Sequence, residues 1–201
     1  MGFFGVGVTE GALARATAGI SQELSERVEQ HQGFIRLRMS YVPGEGESLI
    51  PNERSPQEEL AYLTRIAYFI LEDGAAFALF CPAGELLTQD TGVWRIYDRA
   101  FGESENMWRL WIGARPSVLE DGRRLIKLCG LSTLGLTDQA LIYDPMSLDL
   151  DQAKRAARHL IDQLARDPNL SVFEDRKNRR WRLTEGDEGV TNEFWQEDHG
   201  Q

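Results

Sequence analysis

The amino-acid sequence predicts an α+β fold: a mixed, mainly antiparallel sheet with helices packed on one face. Three observations lead there. Helical and strand periodicities alternate in the first half of the chain, strands then follow one another through short turns, and a single late helix interrupts them. A doubly wound parallel sheet would keep alternating to its end. With 201 residues and 42% hydrophobic content, the chain can bury a substantial core. The predicted organisation is one α+β domain over residues 1–184, with 1–32 as a helical extension packed on it and 185–201 as an acidic tail.

The first helix is expected from about Thr9 to Gln30, because Leu13, Thr17, Ile20, Leu24 and Val28 recur along one stripe; Gly11 and Gly19 weaken it. The segment FIRLRMSYV alternates, with Ile35, Leu37, Met39 and Tyr41 on one side and Arg36, Arg38 and Ser40 on the other. That is the pattern of a strand with one buried face. A loop containing Gly and Pro leads to Ser55, Pro56 and Glu58, which read as N-cap, first helical residue and capping-box partner. This helix carries Leu60, Leu63, Ile66, Ala67, Ile70 and Leu71 and stops at Asp73-Gly74, where glycine accepts the left-handed conformation. AAFALFC, apolar on both faces, is expected as a central strand.

Val93, Ile96, Tyr97, Ala100 and Phe101 predict a short amphipathic helix between Thr91 and Phe101. WRLWIGAR and RRLIKLCGL read as two strands joined at EDGR. Alternation puts Trp108, Leu110 and Ile112 on one face of the first strand and Arg109, Trp111 and Arg115 on the other. ALIY continues as a strand, and Asp149 caps a helix to about Arg166 with Ala153, Ala157, Leu160, Ile161 and Leu164 inward. SVFED and RRWRL close the domain as a hairpin around Lys177-Asn178.

The net charge of −10 is uneven: Glu185 to Gln201 holds six acids and no Lys or Arg, leaving 22 basic against 26 acidic residues before it. Such an excess disfavours general nucleic-acid binding and suits either a basic partner or plain solubility. Cys81 and Cys129 each lie in an apolar run and read as buried free thiols of a reducing compartment. No run reaches the roughly 20 apolar residues of a membrane span. The start, MGFFGVGVTEG, has no basic leader with a long apolar core, and Val6 spoils the myristoylation pattern. The expectation is a cytoplasmic protein with no membrane partner.

Chemistry-bearing motifs are few. In CGLSTLGLTDQALIYDP, Gly130 to Gly135 is one residue too long for the Gly-x-Ser-x-Gly nucleophile elbow. It also lacks the Lys and following helix of a phosphate loop. It is expected to be a glycine-relieved strand crossing or bulge. In GVGVTEG the third glycine, Gly11, falls one place late for a dinucleotide fingerprint. His31 ends the first helix, His159 lies opposite the apolar stripe of the last helix and so should be solvated, and His199 is in the tail; neither cysteine stands beside a histidine at zinc spacing. Pairs such as Glu103 with Glu105 and Asp149 with Asp151 read as loop solvation and helix capping. No catalytic, cofactor-binding or metal-binding residue is assigned, and no cofactor is expected.

Binding features remain. Arg176, Lys177, Arg179, Arg180 and Arg182 crowd one hairpin, read either as a solvated turn with Trp181 and Leu183 packed beside Phe173 or as a strip that grips phosphates or the acidic tail. The candidate partner-binding residues are Glu193, Phe194, Trp195, Glu197 and Asp198 in the tail, where aromatic anchors stand among carboxylates, together with Arg109, Trp111 and Arg115. The tail docks either on its own domain or on a partner.

Several segments together resemble a bacterial family known as domain of unknown function 4261: FIRLRMSYV with the helix after it, LEDGAAFALFCPAGELLT, WRLWIGARP, and CGLSTLGL with the strand beyond, spanning about Gly33 to Asp175. In that family a helix leads into a Gly-Ala-x-Ala strand, matched by Gly74 to Gly84, and a later Gly-x-x-x-x-Gly turn is matched by Gly130 and Gly135. The family usually continues with a Pro-Glu pair where this chain has TDQA, and the first helix looks like an addition. The resemblance implies bacterial origin and an α+β fold and supplies no catalytic residues. Some relatives appear in polymorphic-toxin and secretion-system neighbourhoods.

The expected function is a non-catalytic protein-binding module with a basic partner, such as an immunity protein neutralising a bacterial toxin or secretion-system effector. Two alternatives stand beside it: an accessory or structural subunit of a multiprotein machine, and an enzyme or small-ligand domain with a site near the Cys129–Asp138 turn.

Overall fold

The N-terminal helix expected as one piece is two in the computed structural model, which describes residues 11–18, 20–39, 55–100, 104–167, 169–184 and 192–196. Helix α1 (Ala12–Thr17) follows a left-handed Gly11 at φ 81°, and α2 (Gln22–Glu29) starts afresh at Ser21, whose hydroxyl accepts from the Leu24 N–H at 3.3 Å. A serine in mid-segment offers its own oxygen to the backbone, which favours a new helix start over continuation.

Contacts group the chain into two compact units, Met1–Pro82 with Leu86–Leu110, and Ala83–Glu85 with Trp111–Gln201. In the first, α3 (Pro56–Glu72) is built as its caps dictate: the Ser55 hydroxyl accepts from the Glu58 N–H at 3.3 Å, and Gly74 closes the far end at φ 74°. Thr64, Ala67 and Leu71 are its buried stripe. Helix α4 (Asp90–Ala100) meets α3 through Tyr97, which stacks on Tyr68 at 4.4 Å and accepts a hydrogen bond from Arg65 Nε at 3.1 Å. Strands β1 (Ala78–Cys81) and β2 (Leu86–Gln89) form a two-stranded antiparallel ladder, Ala78 opposite Gln89 and Cys81 opposite Leu86. The expected central strand is therefore one half of a half-buried hairpin; a short apolar run does not by itself distinguish the two.

Residues 31–39 form no strand despite their alternation, and Phe34, Ile35 and Met39 are 43%, 58% and 40% exposed. Alternation describes which side chains would be buried, whereas a strand also needs a neighbour for its backbone hydrogen bonds. The rest of that expected strand, from Ser40, lies outside the described residues, as does the loop to residue 54. The other miss is WRLWIGAR, whose first three residues close a 3-10 helix (Ser104–Leu110). Trp108, Leu110, Trp111 and Ile112 are all buried, so burial does not alternate there and the strand begins only at Gly113.

The second unit holds a six-stranded mixed sheet: β3 (Gly113–Val118), β4 (Arg124–Cys129), β5 (Gln139–Tyr143), β6 (Val172–Glu174), β7 (Arg180–Thr184) and β8 (Asn192–Gln196), in spatial order β3-β4-β5-β8-β7-β6. Every ladder is antiparallel except β5 with β8. Helix α5 (Leu150–Leu164) packs on β3, β4 and β5, opened by the Asp149 carboxylate accepting from the Gln152 N–H at 2.7 Å. Ala153, Ala157, Leu160, Ile161 and Leu164 are buried as the periodicity predicts, Ala156 is buried with them, and β5 is buried throughout. Pro116 has no N–H to donate and sits in β3, an edge strand, where that lack is tolerated. Gly122 at φ 85° turns β3 into β4, and Asn178 at φ 59° turns β6 into β7, both at the expected hairpins. Within the segment expected as an acidic tail, residues 192–196 form β8.

Candidate functional site

Gly130 and Gly135, left-handed at φ 98° and 76°, bracket a 3-10 helix (Leu131–Leu134) that joins β4 to β5, so CGLSTLGL is a turn of the scaffold instead of a bulge. Beside it the backbone is pressed together. A Cβ on Gly84 would stand 2.1 Å from the Trp111 carbonyl oxygen, one on Gly113 would stand 2.2 Å from the Gly84 oxygen, and one on Gly130 would stand 2.7 Å from Trp111 O. Three glycines from three segments thus make one close backbone junction.

Charges gather around this junction. Glu85, itself left-handed at φ 49°, lies 2.6 Å from Arg115 Nε, off hydrogen-bond alignment, so the pair is held by charge more than by a directed bond. Cys129 is buried, and that burial pushes its thiol up; Glu85 pushes it further, Lys127 and Arg115 pull it back, and Asp138 adds to the rise. The thiol therefore stays protonated at neutral pH, the poor state for a nucleophile or metal ligand. No histidine among the described residues acts on it. Asp138 Oδ1 and Gln139 Oε1 are buried without a hydrogen-bond partner among the described residues. Among those residues no group of three or more His, Cys, Asp or Glu side chains is placed to hold a metal ion.

The candidate partner-binding residues are dispersed over different elements. Arg109 lies in the 3-10 helix with its guanidinium 5.6 Å from the Trp108 ring centre, Trp111 is 3% exposed, and Arg115 is on β3 in its ion pair, so these three share no strand face. Glu193, Phe194 and Trp195 lie on β8, where Phe194 pairs in register with Leu141 and Leu183, and Trp195 with Ile142 and Arg182. Glu197 and Asp198 lie outside the described residues. His159, expected to be solvated, is half-buried with its ring 6.4 Å from that of Phe173. His31 follows Gln30, the C-cap of α2, and its Nδ1 lies 2.5 Å from the Val28 oxygen.

The basic hairpin is organised from within by an acid. Asp175, 5% exposed, accepts from the Lys177 and Arg179 N–H groups at 2.8 and 3.2 Å and from Arg179 Nε at 2.6 Å. Burial alone would push its carboxyl up, but the Arg179 side chain and the two backbone donors outweigh that and hold it below the ordinary carboxylate range. Its stabilisation is complete above the unfolded value, about pH 4, and is lost as pH falls through the lower folded value. The difference in melting temperature between wild type and Asp175→Asn is expected to shrink in that acid range; a difference constant with pH would exclude this role.

A surface that sequence reasoning passed over lies on α3. Glu58, Tyr62, Arg65, Phe69 and Glu72 are spaced by four and three residues along one exposed face, with Tyr62 57% and Phe69 58% exposed. Asp73 follows, also exposed, and Tyr68 meets Phe69 edge-on at 5.7 Å. Two large aromatics outside the inward stripe of a helix were the available signal. Among the described residues no helix is long and apolar enough to cross a membrane. Comparison with known proteins adds no relative: no family model, curated protein or solved structure matches the chain.

Proposed function

We propose that this chain is a non-catalytic protein-binding module of the bacterial cytoplasm, related to the domain-of-unknown-function 4261 family, whose α3 face docks on a basic partner such as a toxin or effector that it neutralises. The observation that carries this reading is the pair of exposed aromatics, Tyr62 and Phe69, two turns apart among Glu58, Glu72 and Asp73. Aromatic anchors supply most of an interface's affinity, and surrounding carboxylates steer a cationic partner onto it. The net charge of −10 adds to that steering.

Co-expression and co-purification with the product of the adjacent gene test it. Tyr62→Ala and Phe69→Ala are each expected to weaken the complex by about 2 kcal/mol, near thirtyfold, and raised salt to slow association. A chain that neither binds that product nor protects cells from it would sink the proposal. The exposed Phe34, Ile35 and Met39 favour a second reading, an accessory subunit of a larger assembly whose neighbours cover them.

A further inference from the structure

Residues 34–39 carry the alternation of a strand without the structure of one. Of the seven large apolar side chains exposed among the described residues, Phe34, Ile35 and Met39 fall within this one stretch of six. Arg36 and Arg38 occupy the intervening positions, both exposed and without an ion pair to any described residue. Upstream, a Cβ added at Gly33 would meet open space. Laid out as a strand, the segment sets Ile35, Leu37 and Met39 in one row and Phe34, Arg36 and Arg38 in the other.

We propose that Phe34–Met39 adds as a strand to the open sheet edge of another protein, one whose facing side chains between the apolar positions are acidic. Strand addition takes its affinity from main-chain hydrogen bonds and its specificity from alternate side chains. Ile35, Leu37 and Met39 would be covered by the acceptor's apolar face, and Arg36 and Arg38 would stand opposite carboxylates, a favourable cross-strand pairing. Neither the same segment nor the six-stranded sheet of a second copy is a good acceptor, and β1 and β2 offer edges of only four residues each. Antiparallel self-pairing centred on Leu37 sets Arg36 against Arg38, β3 carries Pro116, and β6 spans only Val172–Glu174. The proposal goes beyond the α3 docking face and uses a different surface.

The test uses the full chain and short labelled peptides that alternate valine with glutamate or valine with lysine, read by fluorescence anisotropy. The glutamate peptide is expected to bind at least about tenfold more tightly than the lysine peptide, and alternate N-methylation of its amides to abolish binding. Leu37→Pro removes an N–H and is expected to weaken binding at least about tenfold. Because residues 31–39 support no helix or strand, this variant should fold as the wild type does. Tyr62→Ala and Phe69→Ala should bind the peptide normally, which separates this surface from the α3 face. Equal binding of the two peptides, or none, overturns the proposal. So does slow hydrogen exchange of residues 34–39 in the chain alone, which places the strand within its own chain. A dimer dissolved by Leu37→Pro overturns it as well, by making a second copy the acceptor.

Discussion

Trp181→Ala is expected to lower the unfolding free energy by about 3–5 kcal/mol, measured by urea titration. Trp181 is 0% exposed on β7, and its ring stacks on Phe173 of β6 at 5.7 Å and an interplanar angle of 8°. Truncation removes the largest fully buried side chain among the described residues and opens a void that the stiff β6–β7 ladder cannot fill. The indole N–H also points at Asp175 Oδ2 from 3.5 Å, at the outer limit of a hydrogen bond, so shape should dominate the loss. Trp181→Phe should accordingly restore more than half of the stability, and a loss below about 1 kcal/mol in the alanine variant would show that the hairpin does not anchor this core.

Gly84→Ala is expected to cost about 3 kcal/mol, at the upper end for overpacking, because the added methyl meets backbone on a neighbouring segment. A flexible side chain could step aside, but the Trp111 carbonyl at 2.1 Å can move only with its peptide plane. Gly113→Ala strikes the Gly84 carbonyl at 2.2 Å from the other side, so both substitutions force the same two segments apart. The double variant should then lose less than the sum of the singles, since separation enforced once serves both. Unfolding midpoints of the three variants measure this. A Gly84→Ala chain as stable as wild type would show that the junction is loose.

Where local chemistry decides the backbone, the sequence was readable. Ser55, Asp149, Gly74, Gly122 and Asn178 act within a few residues of themselves, and the helices and hairpins they bound were all predicted. The mixed sheet followed from the element order. Pairing partners were not legible, since among the described residues FIRLRM has the alternation of a strand yet finds none, and AAFALFC reads as central but joins only β2. WRLWIGAR failed for another reason: Trp108, Leu110, Trp111 and Ile112 are each buried, which reads as alternation only if Trp111 is ignored. The candidate site divided in the same way. Tyr62 and Phe69 could have been singled out by their angle around α3, whereas the meeting of Gly84, Gly113 and Gly130 comes from segments far apart in sequence and has no local signature.

The position of β8 bears on how the chain is made. The last strand among the described residues runs between β5 and β7, parallel to one and antiparallel to the other. During vectorial synthesis the β3–β4–β5 and β6–β7 ladders emerge first, each with a bare inner edge, and the seam between them closes only when residues 192–196 leave the ribosome. A premature stop shortly before that point would release two half-sheets, each with an unpaired edge open to aggregation.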